Sequence, residues 1–238
     1  TDHTPGFGSA AKYIATTLTE IVRDCDVYTT PAVTIVEIMG RNAGWLTAAA
    51  ALAPVSGVRG PQLIYLPESV FTLEQFIEDV KEVQKTSPVV VVAVSEGVKG
   101  PDGKYVAESI QSGAVDAFGH KYLSGIGKLL ENTVRNEIGC KVRSIELNLM
   151  QRCAGHLLSK TDVDEGVMIG NAAVNAAIDG MTGKMAIYVR EPGNEYKISV
   201  KMGNIEDIAN KEKIVPKEWI NERGNNVTSE VVDYILPL

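Results

Sequence analysis

Short runs of apolar, mostly β-branched residues alternate along this chain with segments whose apolar residues recur every three or four positions. Residues 89–94 form a continuous apolar run that is too short for a typical helix, which predicts a central strand of a parallel sheet. Between residues 8 and 22, apolar residues fall on one stripe of a 3.6-residue period, which predicts an amphipathic helix. The alternation of the two patterns predicts an α/β fold in which helices cover both faces of a parallel sheet.

The same two patterns predict the other elements of the fold. Further strands are expected at residues 33–36, 62–66 and 142–147, and further helices at residues 44–52, 72–84, 121–138 and 162–181. Thr72 and Gln75 form a capping box for the third helix, and either Thr161 or Asp162 caps the last one. Residues 184–190 and 196–201 are expected to form a hairpin, residues 96–119 a loop, and residues 203–238 a polar tail with short helical pieces.

The loop after the strand at residues 33–36 is the first candidate for ligand binding. It carries Met39, Gly40 and Arg41 and leads into an alanine-rich helix. A helix N-terminus offers unpaired N–H groups, Arg41 offers a planar charged fork for phosphate oxygens, and Gly40 lets a ligand approach the backbone closely. The structural alternative for Arg41 is a surface arginine that caps a neighbouring carbonyl, and spacing alone does not decide between the two.

The amino-acid sequences of four segments resemble motifs of the phosphofructokinase family. VEIMGR at residues 36–41, TDHTPGFGSAAK at residues 1–12, Glu96 after a buried strand, and KVRSIELNLMQR at residues 141–152 occur in the family's order. The resemblance implies two Rossmann-like, three-layer α/β domains with parallel sheets, between which the chain crosses more than once. It assigns residues 8–150 to a fructose 6-phosphate-binding domain, residues 1–7 and 151–202 to part of a phosphoryl-donor domain, and residues 203–238 to a tail that packs across both.

The resemblance also implies a set of substrate-binding residues. Arg143 and Arg152 would grip the 6-phosphate, one of them often reaching in from a neighbouring subunit, and Glu96 would accept hydrogen bonds from sugar hydroxyls. The full set is Met39, Gly40, Arg41, Glu96, Arg143, Leu149 and Arg152. Without the resemblance, Glu96 would be interpreted as a cap or loop carboxylate, Met39 as core packing, and Arg143 as a solvated charge at a strand edge.

Gly6 and Gly8 lie in a Gly-Phe-Gly-Ser turn just before the first helix, and this turn allows two interpretations. It resembles a nest of backbone N–H groups that cradles a phosphate on the donor side of an active site. It is equally consistent with a tight turn that joins two domains. The sequence favours neither interpretation.

The resemblance implies phosphoryl transfer to the 1-hydroxyl of fructose 6-phosphate, which gives fructose 1,6-bisphosphate in glycolysis. The wording of residues 6–12 is most like the pyrophosphate-dependent branch, so pyrophosphate is the expected donor and Mg²⁺ the expected cofactor. Bacterial ATP-dependent members carry an arginine at the position of Ala32, a histidine at that of Leu149 and two glycines at residues 153–154, and this chain departs from all three. The alternatives are ATP as donor, a non-catalytic sugar-phosphate-binding regulatory subunit, and a generic α/β domain.

The resemblance places the family's general base and donor loop upstream of Thr1. We therefore expect no catalytic residue in this chain, and no turnover by the chain alone. We expect the chain to be the C-terminal portion of a longer polypeptide, and the family suggests a homodimer or homotetramer.

Composition argues against several other functions. The net charge of −7 argues against a nucleic acid or an anionic membrane as partner, and no apolar run approaches the roughly 18 to 20 residues that span a bilayer. Three scattered cysteines without a CxxC spacing are typical of reduced thiols in a cytoplasmic protein. The three histidines form no HxxxH pattern, so no transition-metal site built by the protein is predicted.

Overall fold

A computed structural model of the chain describes residues 1–107, 125–193 and 195–238, which form six α-helices and six strands. The α-helices are α1 (Phe7–Cys25), α2 (Trp45–Ala48), α3 (Leu73–Gln84), α4 (Ile126–Glu137), α5 (Lys160–Ile178) and α6 (Ser229–Ile235). The strands are β1 (Ala32–Ile38), β2 (Leu63–Tyr65), β3 (Val89–Ser95), β4 (Lys141–Glu146), β5 (Lys184–Arg190) and β6 (Ile198–Asn204). Short 3₁₀ helices cover Ala49–Ser56, Asn148–Arg152, Gly155–Leu157, Ile205–Asp207 and Lys217–Trp219.

Four strands form a parallel sheet in the order β2-β3-β1-β4. Every residue of the two central strands, β1 and β3, is buried, which explains their near-continuous runs of valine and isoleucine. Because the strands are parallel, their carboxyl ends meet at one edge of the sheet, where Ile38 of β1 pairs with Ser95 of β3. The predicted parallel α/β architecture is confirmed.

Helices cover both faces of this sheet, and each face has its own apolar core. On one face, α1 contributes the predicted stripe, including Ile14, Leu18 and Val22, and the 3₁₀ helix Ala49–Ser56 packs beside it. On the other face, α3 and α4 pack against the sheet through residues such as Phe76 and Leu130. The two cores fix the carboxyl ends of β1 and β3 relative to each other, and therefore also the turns that follow those strands.

A second, smaller group of elements follows β4. β5 and β6 pair antiparallel, from Lys184 opposite Asn204 to Arg190 opposite Ile198, and α5 lies against this hairpin. The tail, residues 203–238, was expected to be polar, but several of its apolar residues are buried. Val215, Val231 and Ile235 are buried in the same core as α1, because the tail runs back over that face of the main sheet.

Element ends and caps differ from the predictions at several places. The helix expected at residues 44–52 is only the short α2, and it tightens into a 3₁₀ helix that contains Pro54, a residue without a backbone donor. The last long helix is capped by Ser159, whose Oγ accepts from the backbone N–H of Asp162, rather than by Thr161 or Asp162. The second hairpin strand begins at residue 198 instead of 196. α4 begins at residue 126, while residues 121–124 and the predicted loop beyond residue 107 lie outside the described residues.

Among the helices that the structure describes, none combines the length and the apolar character needed to cross a membrane.

Candidate functional site

The turns that follow β1 and β3 lock together at the carboxyl edge of the sheet. The backbone N–H of Glu96 donates to the carbonyl of Ile38 at 3.0 Å, which extends the pairing of the two strands by one residue. The N–H of Gly40 donates to Glu96 Oε1 at 3.2 Å, and Ser95 Oγ donates to the carbonyl of Gly40 at 2.6 Å. The Met39–Arg41 turn and Glu96, which lie 55 residues or more apart in sequence, therefore form one structural unit.

Two glycines make this close approach possible. Gly40 has φ of +140°, a conformation that strains other residues, and a side chain there would lie 2.7 Å from the carbonyl oxygen of Ala43. Gly97 lies directly under Arg41, because a Cβ at position 97 would lie 2.0 Å from the Arg41 carbonyl oxygen. The sequence shows Gly97 beside Glu96, but only the structure shows that its missing side chain makes room for Arg41.

Charges converge on Glu96. Burial raises the pKa of Glu96, while the Gly40 N–H and the positive charges of Arg41 and Arg152 act in the opposite direction. Nε of Arg41 is buried and has no hydrogen-bond partner among the residues that the structure describes. A buried guanidinium donor that is left unpaired is costly, so this donor is available for a ligand oxygen.

Arg152 ends the 3₁₀ helix Asn148–Arg152, which follows β4. The neighbouring Gln151 is buried, and its Oε1 accepts from the backbone N–H of Met39 at 3.1 Å. Leu149, in the same 3₁₀ helix, is 54% exposed. The structure thus brings together Met39, Gly40, Arg41, Glu96 and Arg152, with Leu149 on the turn beside them.

A cavity of about 300 Å³ adjoins Arg152. Its walls come from the N-terminal turn, the segment around Arg152 and the start of α5, and include Gly6, Ser9, Gln151, Arg152, Gly155 and Asp162. Arg152 is thus shared by this cavity and by the cluster at the carboxyl edge of the sheet, where Arg41 adds positive charge and Glu96 a carboxylate at the end of a central strand. Such an arrangement can hold a small molecule that carries both an anionic group and hydroxyls.

Comparisons with known proteins agree with this geometry. The family model described as phosphofructokinase matches residues 1–177. The chain belongs to the phosphofructokinase family. A pyrophosphate–fructose 6-phosphate 1-phosphotransferase of Halomonas elongata is 38% identical over 240 residues, and one of Methylococcus capsulatus is 35% identical over the same length.

A solved structure, the pyrophosphate-dependent phosphofructokinase from Nitrosospira multiformis, matches with a TM-score of 0.85 and 34% identity, over 100% of this chain and 56% of that one. The alignments to the Halomonas and Methylococcus proteins cover 100% of this chain but only 57% and 56% of those proteins. These matches confirm the resemblance and the phosphofructokinase-like fold class. This chain spans little more than half the length of the relatives it matches.

Arg143 lies away from the other substrate-binding positions that the resemblance implies. It pairs in register with Thr34, about 16 Å down the sheet from the Met39–Arg41 turn at the usual rise per strand residue. Its guanidinium donates to the Tyr28 hydroxyl at 2.6 Å and meets Asp24 at 3.4 Å on the outer surface. Sequence wording grouped Arg143 with Arg152, but the strand between them carries the two arginines to different places.

Backbone donors on both sides of the Gly6–Gly8 turn already have a protein acceptor. Asp162 at the start of α5 accepts from the N–H of Gly6 at 2.7 Å and from the N–H of Ser9 at 3.0 Å. Gly8 lies so close to the backbone of Leu238 that a side chain would not fit between them. This geometry favours the tight-turn interpretation over a phosphate nest, because a protein carboxylate already fills the anion position.

Glu37 is a buried carboxylate that the sequence did not single out. It lies on β1, two residues before Met39, and accepts from the N–H of Gly127 at 2.7 Å and of Gly125 at 3.2 Å, at the start of α4. Burial raises the pKa of Glu37 to about 7, and the nearby carboxylates of Glu146 and Glu96 add to the rise. A glutamate inside a run of buried strand residues was the available signal.

No group of three or more histidine, cysteine, aspartate or glutamate side chains among the described residues could hold a metal ion. Mg²⁺ commonly binds through one or two protein carboxylates together with substrate phosphates, so the described residues do not by themselves form a complete site and we assign no step of a reaction to a metal.

Proposed function

We propose that the polypeptide containing this chain transfers a phosphoryl group from pyrophosphate to the 1-hydroxyl of fructose 6-phosphate, giving fructose 1,6-bisphosphate. The observation that carries the proposal is the cluster of Arg41, Glu96 and Arg152 at the carboxyl edge of a parallel sheet, where such sheets usually bind ligands. The similarity to the pyrophosphate-dependent enzymes of Halomonas, Methylococcus and Nitrosospira supports pyrophosphate as the donor.

This chain supplies the clamp for the sugar phosphate in that proposal. Arg152 and Arg41 neutralise negative charge on the substrate, and Glu96 accepts hydrogen bonds from sugar hydroxyls. Met39 and Leu149 line the sugar, and Gly40 lets it approach the backbone. Phosphoryl transfer depends mostly on positioning and charge stabilisation, so a rigid clamp of this kind contributes directly to the rate. The general base and most of the donor site belong to the part of the polypeptide upstream of Thr1.

The proposal includes a domain assignment. Residues 8–150 form the sugar-phosphate domain, residues 1–7 and 151–202 form part of the donor domain, and residues 203–238 pack across both. The tail contacts that carry this are the ion pair of Lys213 with Asp2 and that of Arg223 with Asp79 of α3. We keep Mg²⁺ as the proposed cofactor of the reaction and the cytoplasm as the proposed location.

Arg143 has a proposed role in a neighbouring subunit of a homodimer or homotetramer. It lies on the outer surface, 39% exposed, where a second copy can approach it. Co-expression of Arg143→Ala and Arg152→Ala subunits tests this proposal. If Arg143 acts in the neighbour's site, a random mixture of dimers should regain about a quarter of wild-type activity, because half are hybrids with one intact site of two. The assay uses fructose 6-phosphate well below the raised KM of the variants, where each variant alone is nearly inactive. Activity no higher than that of the separate variants would contradict a role across the interface.

The reaction itself is tested on the natural full-length polypeptide. Formation of fructose 1,6-bisphosphate is followed from fructose 6-phosphate with pyrophosphate and with ATP in parallel. Turnover with pyrophosphate supports the proposal, and turnover with ATP alone would reverse the donor. Binding of fructose 6-phosphate without turnover would favour the regulatory subunit, and absence of both would leave a generic α/β domain.

Arginine substitutions test the site. Arg152→Ala and Arg41→Ala should each raise KM for fructose 6-phosphate by about 10- to 100-fold, since a charge-assisted hydrogen bond contributes about 1.5–3 kcal/mol. Arg23→Ala, at an exposed position in the last turn of α1, is the matched control and should leave KM unchanged. Equal KM values for all three variants would contradict the proposed clamp.

A further inference from the structure

Gln151 is a glutamine that is 1% exposed, at the junction of two substrate-binding segments. A buried side-chain amide carries a donor and an acceptor, and each costs free energy if it is left unpaired. Both are used here by the backbone. Oε1 accepts from the N–H of Met39 at 3.1 Å, and Nε2 donates to the carbonyl of Asn148 at 2.9 Å. The side chain therefore ties together two turns that are separated by more than 100 residues of sequence.

The two joined segments are those that present the arginines. Met39 is the first residue beyond β1, and Arg41 follows it by two positions. Asn148 begins the 3₁₀ helix that ends at Arg152, and it adopts a left-handed conformation with φ of +44°. The amide of Gln151 thus holds the start of one arginine-bearing turn against the other at a fixed distance.

We propose that Gln151 is a positioning residue that sets the spacing between Arg41 and Arg152, and through it the affinity for fructose 6-phosphate. The inference rests on the proposed function, because that sugar phosphate is the ligand whose binding it tunes. Both arginines already act together on Glu96, so a shift of one turn relative to the other changes the charge geometry of the whole clamp. Misplacing a binding group by about 1 Å is enough to cost a large factor in rate or affinity.

The chain offers a matched control for this inference. Gln62 makes the same kind of two-sided bridge: its Oε1 accepts from the N–H of Val91 at 2.9 Å, and its Nε2 donates to the carbonyl of Val89 at 3.1 Å. This bridge lies beside β3, near the end of that strand opposite to Glu96. Loss of either bridge costs stability, but only loss of the Gln151 bridge disturbs the relation between the two arginines.

The experiment compares Gln151→Met with Gln62→Met in the natural full-length polypeptide. Methionine keeps the length and volume of the side chain and removes both hydrogen bonds. KM and kcat are measured for fructose 6-phosphate at saturating donor, with calorimetric binding of the same sugar phosphate and the urea midpoint. We expect Gln151→Met to raise KM and Kd at least about tenfold with kcat within about threefold, while Gln62→Met shifts KM by less than about twofold. Both variants should lower the urea midpoint to a similar degree.

A KM shift in Gln151→Met no larger than that in Gln62→Met would overturn the inference and leave a structural role only. If Gln151→Met is not recovered folded, the pair Gln151→Asn and Gln62→Asn decides in the same way, because asparagine keeps the amide but is too short to span both partners. Wild-type protein that binds fructose 6-phosphate without turnover would contradict the proposed reaction, while the Kd comparison would still decide the role of Gln151. Wild-type protein that does not bind the sugar phosphate would overturn both.

Discussion

Glu37 is a buried carboxylate and Glu96 a partly buried one at the same edge of the sheet, and different partners give them different behaviour. Glu96 lies within the field of Arg41 and Arg152, whose charges partly offset the effect of burial on its pKa. Glu37 has backbone N–H groups as its hydrogen-bond donors, and the neighbouring carboxylates oppose its charge. The pKa of Glu37 is therefore raised to about 7, so this residue changes its charge near neutral pH at the base of the candidate site.

This raised pKa makes stability depend on pH in a defined direction. Burial favours the protonated carboxyl, so its contribution is fully present below the ordinary value of 4.5 and is lost as the pH rises through about 7. Between about pH 4.5 and 8, wild type should lose up to about 3 kcal/mol more free energy of unfolding than Glu37→Gln. Urea unfolding at both pH values measures the difference.

Glu20→Gln, at an exposed position on α1, is the control for this titration and should follow wild type at both pH values. A difference between wild type and Glu37→Gln that stays constant with pH would show that Glu37 titrates normally.

At the scale of elements, the carboxylate of Asp162 joins α1 and α5. Asp162, in the first turn of α5, accepts from the backbone of Gly6 and Ser9 and so satisfies donors at the N-terminus of α1. The negative charge also complements the partial positive charge of that helix end. Ser159 takes the capping position of α5 itself, which leaves the side chain of Asp162 for the other helix.

Replacing Asp162 by alanine should destabilise the protein by about 2 kcal/mol, because it leaves two backbone donors at the start of α1, those of Gly6 and Ser9, without their charged acceptor. Asp164→Ala, two residues further along α5, removes an exposed partner of Lys160 and should cost less than about 1 kcal/mol. Thermal or urea unfolding compares the two. Similar costs for both substitutions would mean that Asp162 does not hold α1 to α5.

Local patterns in the sequence were enough to predict most elements but not their long-range partners. The apolar run of β3 and the stripe of α1 depend on neighbours in the sequence, and both predictions are confirmed. The cap of α5 was wrong because the carboxylate of Asp162 has its partners more than 150 residues away. The sequence motif placed Arg143 and Arg152 at one phosphate, but strand direction and register place Arg143 within β4, away from the carboxyl edge of the sheet that Arg152 follows.

At the scale of the whole molecule, α5 reverses the usual pattern of a surface helix, in which apolar residues are buried and charged residues are exposed. Its buried residues include the carboxylates Asp162 and Glu165, whereas an apolar stripe faces outward. The stripe consists of Val163, Val167, Val174 and Ile178, which are 45%, 61%, 60% and 77% exposed. Helices normally bury such a stripe, and this chain spans little more than half the length of its relatives. The stripe is therefore the surface on which we expect the rest of the proposed donor domain to pack.

Introducing a charge into this stripe tests the proposed domain organisation. Val167 is well exposed in this chain, so Val167→Asp would be tolerated if the stripe faced solvent. If the remainder of the polypeptide covers it, the same substitution in the natural full-length protein loses apolar burial and buries a carboxylate, and should cost at least about 2 kcal/mol. Asn175→Asp places the same charge on α5 away from the stripe and should cost only a few tenths of a kcal/mol. Equal stability of the two variants by urea unfolding would contradict the assignment of residues 151–202 to a shared donor domain.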